Sequence, residues 1–208
     1  MIAPAKFWDK MAPRYAKRKI SNIPAYQASL DRIGSNLNAT DQVLEIGCGT
    51  GSTALLLAPL VKHITGTDIS SGMIEIANAK VPDAKVANVT FRRLDIEQLH
   101  TAEPQYDAVI ALNLLHLVLD LEKTLRHAHA QVASGGLFIS KTVCMGESWS
   151  IWPMVLPLAQ ILGKAPLVHF FKITELEGAI ENAGFKIIET GNFPANPPSR
   201  LIVARKLE

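Results

Sequence analysis

Cysteine is scarce: Cys48 and Cys144 are the two thiols in 208 residues. Their placement gives neither a metal-ligand spacing nor a disulfide framework, and it suits a reducing compartment. Long apolar runs are missing too. The longest uncharged one, residues 151–162, is well short of the roughly 18 residues a bilayer span needs, and it holds Pro153 and Pro157. Lys6, Asp9 and Lys10 break up the start of the chain, so no secretory leader is expected and the cytoplasm is the expected location. Charge of one sign is nearly balanced, 21 Lys and Arg against 19 Asp and Glu. That leaves no broad phosphate-binding surface, so a nucleic-acid partner is not expected. Internal repeats and low-complexity tracts are absent.

What is present is a rhythm. Residues 43–46 read as a buried strand, 52–62 as a helix, and 63–67 as a second strand ending at Asp68. Ser70 is placed to cap a helix carrying Met73, Ile74 and Ala77. Residues 89–94 alternate more than the others and belong nearer a sheet edge. A strongly apolar strand at 106–112 precedes a helix at 120–133 with Leu121, Leu125, Ala128 and Val132 on one stripe. Gly135-Gly136 is expected to stop that helix before a fifth strand at 137–143. Such alternation predicts an α/β fold: a doubly wound sheet with helices on both faces. The last third differs. Residues 149–162 are apolar nearly all round, Thr174 and Glu177 form a capping box for a helix ending at Gly184, and strands at 185–190 and 200–205 form an antiparallel pair at one edge.

The central motif is Glu45-Ile46-Gly47-Cys48-Gly49-Thr50-Gly51, between a buried strand and a helix. Alternate glycines let the backbone turn sharply and approach a ligand that meets the N–H groups of the next helix. Asp68 ends the next strand, 17 residues beyond Gly51. In a doubly wound sheet the carboxyl ends of neighbouring strands border one crevice, so a carboxylate there can accept both hydroxyls of a ribose. Asp95-Ile96 follows the third strand and is placed for an adenine amino group, and Asn113 follows the fourth. Cys48 reads as a small, tolerated residue.

These residues, with Met73, Tyr106-Asp107-Ala108-Val109, Asn113-Leu114-Leu115-His116 and Ala183-Gly184-Phe185, resemble the class I S-adenosylmethionine-dependent methyltransferases. The likeness is strongest to the small-molecule branch, that of ubiquinone-biosynthesis and phospholipid methyltransferases. It implies a Rossmann-like seven-stranded sheet of order 3-2-1-4-5-7-6 with the last strand antiparallel. It also implies how the cofactor lies. Glu45, with Gly47, Cys48, Gly49 and Gly51 of its loop, would hold the methionine end, and Asp68 the ribose. Ile69 and Met73 would pack on the adenine, Asp95 and Ile96 would bond its edge, and the Asn113 carbonyl would face the ammonium. Residues 1–208 then form one domain, with 1–35 a helical cap and 145–172 an apolar insertion on the substrate side.

The sulfonium makes its methyl group electrophilic, so the protein must mainly align a nucleophile and exclude water. A general base is needed where the acceptor is protonated, and His116, just past strand four, is the candidate. Tyr15 and Tyr26 could reach the acceptor or the cofactor carboxylate, and Arg18 an anionic group. His127 and His129, two apart on a helix, point to different faces, so no metal site is expected. The oily insertion, with Trp149, Trp152, Met154, Leu167, Phe170 and Phe171, needs cover. It points to a small, apolar or lipid-like acceptor. A twin subunit or transient contact with a membrane surface, aided by the basic N-terminus, would also cover it. Three alternatives stay open: a soluble polar acceptor, a non-catalytic cofactor-binding module, and a nicotinamide-dependent oxidoreductase. Ser52, where the dinucleotide fingerprint has its third glycine, weighs against the last.

Overall fold

The computed structural model describes residues 4–96, 106–147 and 166–207. Its centre is β1 (Gln42–Ile46), whose last four residues are buried. Side chains alternate across a strand, so a strand covered on both sides must be apolar on both. Val43 faces one core, with Leu30, Ile33, Leu57, Ile74 and Ala77. Leu44 and Ile46 face the other, with Leu125, Ala128, Leu176 and Ile180. β2 (His63–Asp68) and β4 (Tyr106–Leu112) flank β1 in parallel, and β3 (Val89–Arg93) is the outermost strand beside β2. β5 (Val132–Val143) runs parallel to β4. β7 (Ser199–Lys206) inserts antiparallel between β5 and β6 (Phe185–Asn192). The order β3-β2-β1-β4-β5-β7-β6 is the one the resemblance implies, with the alternating strand at the edge.

The helices are α1 (Pro4–Ala16), α2 (Ile23–Gly34), α3 (Ser52–Leu57), α4 (Ser71–Ala84), α5 (Leu121–Gln131) and α6 (Ile173–Asn182). Three differ from the expected boundaries. The helix expected at 52–62 is α-helical only to Leu57 and ends in a 3-10 turn at Ala58–Leu60, because Pro59 lacks the N–H that would continue the ladder. α5 stops at Gln131, four residues before the glycine pair. Gly135 (φ +73°) and Gly136 instead lie within β5, where the pairing with β4 skips from Tyr106–Val132 to Ala108–Leu137. α6 begins two residues earlier than the Thr174–Glu177 box. The Lys172 N–H donates to Glu175 Oε2 at 2.8 Å, while Glu177 is held by the Arg200 guanidinium at 2.6 Å. The oily stretch with Trp149, Trp152 and Met154 lies outside the described residues. Among those described, no helix is long and apolar enough to cross a membrane.

One glycine is set by packing. Gly51 has φ +73°, and a Cβ there would lie 2.5 Å from Phe91 Cζ and 2.9 Å from Ala77 Cβ. Gly51→Ala combines a strained backbone with an overfilled core, and should destabilise the fold by about 2–4 kcal/mol in urea titration. A loss below about 1 kcal/mol would contradict the close approach of β3 and α4 to this turn.

Candidate active site

The carboxyl ends of β1, β2 and β4 open onto a cavity of about 800 Å³. The turn after β1 forms its floor. Gly47 (φ +66°) and Gly49 (φ +53°) both take left-handed backbone, and a Cβ at Gly47 would fall 2.6 Å from Leu114 Cδ1 of the segment after β4. Two side chains fix the turn. Asp68 Oδ2 accepts the Gly49 N–H and Oδ1 the Ser70 N–H, each at 2.9 Å. Lys80 of α4 donates to the Thr50 carbonyl at 2.8 Å, to Thr50 Oγ1 at 3.0 Å and to Ser52 Oγ at 2.9 Å. Burial raises the Asp68 carboxyl above its usual range, against the lowering effect of the Ser70, Gly49 and Ile69 N–H groups.

Glu45 does not line the cavity; it sits behind the turn, 3% exposed. Burial pushes its carboxyl up to about 8, which the Ala54 N–H opposes and Asp68 reinforces. Its Oε2 has no hydrogen-bond partner. Gly51 also stands off the cavity, packed on Phe91. Cys48 lines it, but burial raises its thiol far above the usual range, which leaves no reactive thiolate. Ile69, Met73, Asp95, Ile96 and Asn113 all line the same cavity. Asn113 takes φ +54° and donates its N–H to the Lys141 carbonyl at 2.7 Å, which turns the chain sharply off β4.

His116 lines the cavity too, with Nδ1 buried and unpartnered. Burial, aided by nearby His169, pushes its pKa down to about 4. The ring is therefore neutral near pH 7 and a weak base. Tyr15 is at the rim, 40% exposed, its phenol raised first by burial. Tyr26 and Arg18 share that lining. Among the described residues no three His, Cys, Asp or Glu side chains gather to hold a metal ion.

Three contributions escaped the sequence. Asp9 of α1 accepts, on Oδ1, the Ser70 hydroxyl at 2.7 Å, the Ser71 hydroxyl at 3.2 Å and the Gly72 N–H at 3.0 Å. This anchors α1 at the start of α4, and the three donors hold the Asp9 carboxyl below its usual range, the Gly72 N–H first. Lys80 is the second and Lys141, buried on β5, the third. Nothing in their sequence neighbourhoods distinguishes these residues from ordinary surface charges.

Residues 14–190 match the family model described as a methyltransferase domain. The chain belongs to this family. With it, the chain joins the class I S-adenosylmethionine-dependent methyltransferases, in the small-molecule branch the motifs resemble. A ubiquinone biosynthesis O-methyltransferase of Methylobacterium nodulans is 32% identical over 161 residues, 74% of this chain and 64% of that one. The chain therefore spans a little under two-thirds of that relative. A protein of the same description from Methylobacterium sp. is 28% identical over 94% of this chain and 83% of its own length. In fold, the methyltransferase resembles the magnesium protoporphyrin IX methyltransferase of Synechocystis, crystallised with S-adenosylhomocysteine. The TM-score is 0.72 at 21% identity, over 97% of each chain.

Proposed function

We propose that this methyltransferase transfers a methyl group from S-adenosylmethionine to an oxygen of a small, apolar or lipid-like acceptor. The observation that carries the cofactor half is the buried, unpartnered Glu45 Oε2 behind a turn whose Gly47 and Gly49 line the cavity. A buried carboxyl without a partner is costly, and a cation such as the cofactor's ammonium group would complete it. Asp68, on the cavity wall, would accept the two ribose hydroxyls. Ile69 and Met73 would pack on the adenine, with Asp95 and Ile96 at its edge and the Asn113 carbonyl toward the ammonium. Bound S-adenosylmethionine supplies a methyl group already activated on sulfur. The chain's own part is to orient both molecules and to exclude water.

About 800 Å³ accommodates a nucleoside cofactor and a small second molecule. The two relatives are named O-methyltransferases, which favours an oxygen nucleophile. Leu112, Val143, Phe193 and Pro194 make part of the wall apolar, and exposed Ile20 and Leu119 continue that character to the rim beside Arg18 and Lys19. This supports residues 1–35 as a cap and an acceptor drawn from a membrane surface, while residues 148–165 of the 145–172 insertion lie outside the described residues. The test is transfer of labelled methyl from the cofactor into organic-phase and aqueous fractions of a cell extract, with and without anionic vesicles. Label in the organic phase, increased by vesicles, is expected. Label confined to water-soluble products would sink the apolar acceptor, and no label at all would favour a non-catalytic binding module.

A further inference from the structure

We propose that Lys141 is the acceptor-side cation of this cavity, holding the methyl-accepting oxygen as an oxyanion, so that the acceptor is an acidic hydroxyl compound: a phenol or an enol. The inference rests on the methyl-transfer reading above and narrows its substrate class.

Lys141 lies near the end of β5, paired with Leu112 of β4, so it borders the same strand ends as the glycine turn. It lines the cavity, yet it is only 9% exposed. Among the described residues its ammonium has a single partner, the Ser29 hydroxyl of α2 at 2.9 Å, and Ser29 in turn donates to the Tyr26 carbonyl at 2.7 Å. An ammonium carries three donors, and a buried charge is expensive without an opposite charge. No carboxylate lies within ion-pairing distance of it among the described residues. Leu112, Val143 and Phe193 line the same cavity and make part of its wall apolar. Burial lowers the pKa of the Lys141 ammonium from its ordinary range. An anion beside it offsets that lowering and is attracted more strongly than it would be in water.

The bases of the cavity lead to the same place. His116 is a weak base and Tyr15 keeps its proton at neutral pH, so neither readily deprotonates an acceptor hydroxyl. An acceptor that arrives already ionised needs no base. It loses its proton to solvent on entering the field of Lys141. In the transfer the new O–C bond then forms as the C–S bond breaks, the electron pair leaving on sulfur, and no proton moves in that step. A neutral alcohol, with its far weaker acidity, would gain little from this arrangement.

The probe is 4-nitrophenol, whose anion absorbs visible light, with 4-nitroanisole as a non-ionising analogue of the same shape. The parent protein should raise the ratio of phenolate to phenol in the bound molecule about tenfold or more over free solution at the same pH. Lys141→Met, close in volume and free of a buried charge, should fold, bind 4-nitroanisole as the parent does, and lose that preference. Lys141→Gln is read the same way if the Met variant does not fold. The proposal is overturned if the parent does not bind 4-nitrophenol, if it binds without favouring the anion, or if a folded variant keeps the preference. Loss of both probes from a folded variant also overturns it, because Lys141 would then only shape the cavity. S-adenosylhomocysteine titrated into the same preparations separates the two levels. Binding of that product without phenolate preference removes the role of Lys141 alone, and failure to bind it removes the methyltransferase reading.

Discussion

Asp68→Ala should weaken the binding of S-adenosylmethionine and S-adenosylhomocysteine by about 100-fold or more, read by calorimetric titration. The substitution removes two things together. The Gly49 and Ser70 N–H groups lose the oxygens that hold them at 2.9 Å, and each buried donor left unpaired costs about 1–3 kcal/mol. The lone pairs proposed for the ribose hydroxyls also go, and a hydrogen bond to a charged group contributes about 1.5–3 kcal/mol. The unpaired N–H groups lower stability in the free and bound states alike, so the lost affinity comes from the ribose bonds. Two of these at the lower end of that range already exceed the roughly 2.7 kcal/mol that a hundredfold change requires. Asp68→Asn keeps one acceptor and should fall between parent and alanine variant. A change below threefold in the alanine variant would remove Asp68 from the cofactor site.

The second large effect is a dependence on pH carried by Glu45. In the folded chain its carboxyl titrates near 8, against the ordinary 4.5. Below 4.5 both folded and unfolded chains hold the proton. Between 4.5 and 8 the folded state keeps a proton that the unfolded state has released, so stability falls as pH rises through that window. At about 1.4 kcal/mol per pH unit the ceiling is roughly 5 kcal/mol. Urea midpoints at pH 5.5, 7 and 8.5 should therefore decline in the parent and flatten in Glu45→Gln. The same group makes a binding prediction. A cationic ligand bound in the cavity, across the turn from Glu45, favours the carboxylate, so cofactor binding at pH 6.5 should release a measurable fraction of a proton. Calorimetry in two buffers of different ionisation heat would count it, and Glu45→Gln should release none. Parent and variant with the same pH profile would mean that water or a neighbour already satisfies Oε2.

The sheet and the glycine turn were legible because their signals are local. Val43 to Gly51 carries strand, turn and helix start within nine residues, and the alternation at 89–94 located the edge strand correctly. Errors fell where one residue competed with a longer pattern: Pro59 cut a helix that the apolar spacing had carried to 62, and Glu175 reached back to Lys172 while Glu177 was held by Arg200. The residues that escaped notice act across large separations. Lys141 finds Ser29 from 112 positions away, and Asp9 finds Ser70 from 61. A lysine in a strand and an aspartate in a basic helix look like surface residues until the fold brings their partners to them. Glu45 was legible as an unusual residue, but its place behind the turn, off the cavity wall, required coordinates.

Asp9 gathers three donors from the start of α4 on one oxygen. Ser70, one of those donors, also accepts the Met73 N–H at 3.1 Å and gives its own N–H to Asp68. Bonds that end on a single atom cannot be traded away one at a time, because a small rotation of the Asp9 carboxylate strains them all. Moving α1 away from the start of α4 therefore breaks all three bonds together. Trp8 and Tyr15 of that helix line the cavity, so one aspartate near the beginning of the chain fixes where two aromatic rings stand on its wall.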